Sequence, residues 1–179
     1  GFRGSDPRTP VTDLTAQADA LSSLLDTPAG VRVILVGHSY GGPIATLMAA
    51  RYPEKVSALI LAAPYFGVSE RRDGFWFWLN KNAPFVMPRR ARGALAEVQN
   101  QRAQLPAVEA VVGRLPMPVY VMHGDRDAVI PMQSSERIAV IARTQLVIDG
   151  GGTHALAYCC VTELYDLIDR AIAGTSAAP

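Results

Sequence analysis

The string Val36-Gly37-His38-Ser39-Tyr40-Gly41-Gly42 places a serine among glycines, between an apolar run and a stretch of helical periodicity. A serine hydroxyl attacks a carbonyl when it projects from a tight, strained turn within reach of a base. Glycines two residues to either side, Gly37 and Gly41, leave room for the chain to fold that sharply. A strand before and a helix after are the setting a nucleophile turn requires. In that setting Ser39 sits at the positive end of the following helix, and the backbone N–H of Tyr40 can donate to a developing oxyanion. The competing reading, a phosphate cradle built on Gly41-Gly42, lacks the lysine that follows a Walker-type loop.

The chain holds three histidines, and a nucleophilic serine needs one to take its proton. His38 lies inside the turn with its side chain directed away from that of Ser39, and reads as a packing residue. His123 ends an apolar run before Gly124 and reads as a buried histidine satisfied by backbone. His154 follows Asp149-Gly150-Gly151-Gly152-Thr153, a loop flexible enough to reach over a sheet edge to the nucleophile, and is read as the base. A base needs an acceptor that fixes its tautomer and stabilises the imidazolium. His123-Gly124-Asp125-Arg126-Asp127 offers two carboxylates at the carboxyl end of a strand, the edge where sites form in α/β sheets. Asp127 is preferred for this role; Asp125 reads as a turn-former or a partner of Arg126.

The elements that must position these groups follow from periodicity. Leu14, Ala18, Leu21 and Leu25 recur at helical spacing from Asp13 to Asp26. Val31 to Val36 is a nearly unbroken apolar run, as expected of a strand covered on both faces. A helix is predicted from just after Ser39 to about Tyr52, a strand over Val56 to Ala63, and two or three short helices between Tyr65 and Pro118. Then come a strand over Val119 to Met122, a helix over Ser134 to Ala142, a strand over Thr144 to Ile148 and a closing amphipathic helix over Thr162 to Ile172. Strands alternating with helices predict an α/β fold with a doubly wound, mostly parallel sheet.

At these residues the chain resembles the α/β-hydrolase superfamily, in its serine esterase-like branch. Gly1-Phe2-Arg3-Gly4-Ser5 looks like the loop after the fourth family strand, and Gly37 to Gly42 like the elbow after the fifth. Gly124 to Pro131 looks like the acid loop and Gly150 to His154 like the histidine loop, and the order Ser39, Asp127, His154 is the family's order. The resemblance implies acyl transfer to water through an acyl-enzyme, without metal or organic cofactor. It also implies that the chain starts after the family's first strands and after the loop that supplies a second oxyanion donor. Loss of one such donor typically costs about 10²–10³ in turnover, so the alternative to an active hydrolase is a catalytically silent fragment or a binding protein on the same fold. The expected division is a hydrolase core over 1–64, a helical cap over 65–118 and a second part of the core over 119–179.

That cap holds Phe75, Trp76 and Trp78, which are read as lining for an apolar, ester-like small-molecule substrate. Seventeen basic residues face 16 acidic ones, a balance that implies neither nucleic acid nor an anionic membrane as partner. No apolar run is long enough to span a bilayer. The two cysteines, Cys159 and Cys160, are adjacent and form no disulfide framework, which fits a reduced, cytoplasmic setting. An uncovered edge on the strand Val31 to Val36 would favour self-association.

Overall fold

The computed structural model of the chain describes residues 11–67, 82, 89–156 and 161–176. Four parallel strands, β1 (Val33–His38), β2 (Val56–Ala62), β3 (Val119–Gly124) and β4 (Leu146–Asp149), form one sheet in the order β1-β2-β3-β4. Spatial order equals chain order. Each strand is joined to the next by a connection that contains a helix: α2 (Gly41–Arg51), α3 (Arg89–Val112) and α4 (Met132–Ala142). Helix α1 (Leu14–Ala20) precedes the sheet, and α5 (Val161–Ser176) follows it.

Side chains on the strands alternate between two cores, as the pleat requires. Val33 and Leu35 of β1, Leu59 and Leu61 of β2 and Val119 and Val121 of β3 pack with Leu14, Met48, Leu105 and Ile138 from α1 to α4. Ile60, Ala62 and Met122 face the other way, onto Leu156, which precedes α5, and Leu167 of α5. Helices therefore cover both faces. Strand β2 is buried along its whole length, which explains its apolar sequence, and Ser57, the one hydroxyl in it, donates to Val33 O on β1 at 3.0 Å. Strand β1 has a paired neighbour on one side only among the described residues, and Val36 is 42% exposed.

Several boundaries differ from the periodicity. The first helix ends at Ala20 and continues as a 3₁₀ turn over Ser22–Leu25, so that Leu14, Ala18 and Leu25 all reach the core. β1 and β3 run on to His38 and Gly124, carrying the site residues to the strand ends. Between Tyr65 and Pro118, where short helices are expected, α3 is one helix of 24 residues. Glu97, Gln101, Leu105, Val108 and Val112 form its buried stripe, while Pro106, which would ordinarily break a helix, falls on the exposed face. Among the described residues no helix is long and apolar enough to cross a membrane. The expected cap residues Phe75, Trp76 and Trp78, the loop Gly1 to Ser5 and the cysteine pair lie outside the described residues.

Candidate active site

The three residues read as nucleophile, base and acid sit at the carboxyl ends of three strands, after β1, β3 and β4, and the structure brings them together. The Ser39 hydroxyl and His154 Nε2 are 2.9 Å apart, and His154 Nδ1 lies 2.8 Å from Asp127 Oδ2. A carboxylate only accepts, so Nδ1 carries the proton and Nε2 is left to accept from Ser39.

Ser39 holds its place by a strained backbone. Its φ is 52°, in the left-handed region that costs a side-chain-bearing residue roughly 1–2 kcal/mol. The strain is held by its neighbours: the Ser39 N–H donates to Ala62 O on β2, and Ser39 O accepts from the N–H groups of Gly42 and Tyr65. A methyl group added to Gly37 would meet Ala45 Cβ and Gly42 Cα at 2.9 Å, and one on Gly42 would meet Pro64 Cβ at 2.8 Å. No described atom lies within 4 Å of such a group on Gly41. The glycines that make room are thus Gly37 and Gly42, whereas spacing alone points to Gly37 and Gly41. Tyr40 is the N-cap of α2, which puts its N–H at the positive helix end.

Asp127 is fixed by its own loop. Its Oδ1 accepts the N–H groups of Val129 at 2.7 Å and Ile130 at 2.9 Å, leaving Oδ2 for His154. Burial pushes the Asp127 carboxyl upward in pKa, but the bonds from His154, Ile130 and Val129 outweigh it, and the group lies below its ordinary value. Asp125 has a different partner from the expected Arg126: its Oδ1 accepts the N–H of Gly151 at 2.7 Å and so braces the histidine loop.

His123 is fully buried, as expected, with one further partner. Its Nε2–H donates to Ile130 O at 3.1 Å, and its Nδ1 accepts from the Ser135 hydroxyl at 2.7 Å. Burial lowers its pKa and favours the neutral ring. Because Ile130 also donates to Asp127, His123 supports the acid loop from beneath. His38, read as packing, makes a polar contact as well: its Nε2 lies 2.7 Å from His154 O, with the two ring centroids 4.9 Å apart. The only signal for this in the sequence is its position next to Ser39.

Beside Ser39, Gln17 Nε2 donates to the Tyr40 hydroxyl at 2.8 Å. Burial raises the Tyr40 pKa, keeping the phenol protonated. Among the described residues no group of three or more His, Cys, Asp or Glu side chains is arranged to hold a metal ion.

A serine hydrogen-bonded to a histidine that is oriented by a carboxylate is an arrangement suited to nucleophilic attack on a carbonyl. The family described as the alpha/beta hydrolase fold matches residues 1–105. The chain is 32% identical over 157 residues to a 2-hydroxymuconate semialdehyde hydrolase of a Pseudomonas species, covering 67% of this chain and 54% of that protein. It is 30% identical over 172 residues to a pimeloyl-[acyl-carrier protein] methyl ester esterase of Chromobacterium violaceum, covering 76% of this chain and 66% of that protein. It thus spans between about half and two thirds of the length of these relatives. Among solved structures, a thermophilic esterase from Thermogutta terrifontis superposes with a TM-score of 0.70 at 21% identity, covering 98% of this chain and 77% of that one.

Proposed function

Because the chain belongs to the α/β-hydrolase fold family, we propose that it is a serine hydrolase acting on an ester or a similar small carbonyl substrate through an acyl-enzyme. The observation that carries this reading is the continuous hydrogen-bonded chain from Ser39 through His154 to Asp127. His154 Nε2 takes the hydroxyl proton as Ser39 Oγ attacks the carbonyl carbon. Asp127 stabilises the imidazolium through Nδ1–H, and the Tyr40 N–H donates to the oxyanion. Collapse of the tetrahedral intermediate breaks the bond to the leaving group, which receives the proton from His154 Nε2. Water then attacks the acyl-enzyme, again giving its proton to His154, and the second collapse frees the acid and restores Ser39.

The names of the relatives support hydrolysis of a small-molecule carbonyl compound. Phe75, Trp76 and Trp78, in the segment 65–118 assigned to a cap, are proposed to line the acyl side of the site. The alignment with the Pseudomonas hydrolase favours a second reading, a substrate of the semialdehyde type. A panel of p-nitrophenyl esters of rising acyl length, run beside such a semialdehyde, separates the two. Turnover of the esters that disappears in Ser39→Ala is the expected result, and an active alanine variant sinks the reading.

A further inference from the structure

We propose that His38 is a positioning residue: its Nε2–H ties the backbone of His154 to the nucleophile turn and so sets the distance between Ser39 and its base. The inference rests on the serine hydrolase reading above, and it adds a residue to that site.

His154 is carried by a loop with little stiffness of its own. Gly150, Gly151 and Gly152 precede it, and Gly151 has a φ of 89°. The loop is anchored on the acid side by Gly151 N–H to Asp125 Oδ1 and by Arg126 N–H to Gly152 O. Both anchors lie before His154. The bond on the backbone of His154 itself comes from the opposite side, from His38 at 2.7 Å.

His38 is well placed to act as a fixed point. It is the last residue of β1, in register with Ala62 of β2, and one peptide bond separates it from Ser39. Any shift of the His154 carbonyl is therefore measured against the same backbone that carries the nucleophile. A carbonyl only accepts, so Nε2 must hold the proton. Burial favours the neutral ring, which keeps a second positive charge from standing 4.9 Å from the imidazolium that forms on His154. Misplacement by about 1 Å of a catalytic group can cost on the order of 10²-fold in rate, which sets the scale expected here.

The test compares His38→Phe, which keeps a ring and loses the donor, with His38→Gln, whose amide can donate to the same carbonyl. Both are measured in the protein as its gene encodes it, with a p-nitrophenyl ester, a fluorophosphonate that labels the reactive serine, and thermal melts. Expected are a kcat lower by about 10–100-fold in the Phe variant with KM within about threefold, a matching slowing of labelling, an unchanged melt, and recovery of about tenfold in the Gln variant. A Phe variant with wild-type kcat overturns the proposal, and so does a Gln variant no faster than the Phe variant when both melt as wild type. If the Phe variant melts early, His38→Ala and His38→Gln compared below both melts decide in the same way. Ser39→Ala is run alongside: labelling or turnover there would defeat the serine reading itself, whereas loss there with unaffected His38 variants would defeat only the positioning role.

Discussion

The backbone of Gly124, at the end of β3, passes so close to that of Gly152 that a methyl group on Gly124 would lie 2.2 Å from the Gly152 carbonyl oxygen. The acid loop and the histidine loop therefore lean on one another directly, backbone against backbone. Gly124→Ala must push them apart. It is expected to cost about 1–3 kcal/mol of stability by overpacking. Because it moves the loop carrying His154, ester turnover should fall further than the melt alone explains. Urea melts and kcat measured on the folded variant check both parts.

Ser39 carries a left-handed backbone that glycine would adopt freely. Ser39→Gly is expected to abolish turnover, and yet to raise stability by roughly 0.5–1 kcal/mol, the relief of strain exceeding the entropy glycine loses on folding. A thermal melt showing the glycine variant clearly less stable than wild type would mean that the turn is not strained as described.

Asp127→Asn keeps the shape of the acid and removes its charge. Turnover should drop by about 10⁴-fold, because the amide favours the wrong tautomer of His154. The variant also reports on pH. The folded carboxyl titrates below its ordinary value, so its contribution to stability is fully present above about pH 4 and is lost as pH falls through the lower folded value. The gap in melting temperature between wild type and variant should accordingly be widest near neutrality and narrow in acid below about pH 4. A gap that widens on acidification would contradict the assignment.

The two glycines flanking Ser39 at equal distance in sequence should respond unequally. Gly37→Ala meets Ala45 and the Gly42 backbone and should cost about 1–3 kcal/mol. Gly41→Ala, at the first residue of α2, meets no described atom and gains up to about 1 kcal/mol of helix propensity. Parallel denaturant melts of the two variants distinguish them.

Residue order and periodicity were enough to read the parallel α/β architecture and to single out Ser39, Asp127 and His154, because each stands at a strand end flanked by turn-forming residues. What escaped depends on contacts between distant parts of the chain. The His38 bond joins residues 116 apart, and the sequence signals it only by placing His38 next to Ser39. Asp125 has an adjacent arginine as an obvious partner, but the folded loops offer it the N–H of Gly151 instead. Two or three short helices are expected between Tyr65 and Pro118, whereas α3 runs through Pro106 because a continuous buried stripe from Glu97 to Val112 packs on the core, a tertiary effect that local propensity does not contain. Spacing in the sequence points to Gly41, not Gly42, because the crowding of Gly42 by Pro64 is set only when the end of β2 comes alongside.

Ser39 and His154, joined by one hydrogen bond, stand 115 residues apart. That separation gives the site a direction in time. During synthesis at about 5–20 residues per second, the strained turn is made roughly 6–23 seconds before its base exists. For that interval the nascent chain can pair β1 with β2 and seat α2, while the Ser39 hydroxyl is still without His154. The hydrogen bond between Ser39 and His154 can therefore form only once β4 and the loop after it have been added to the far side of the sheet.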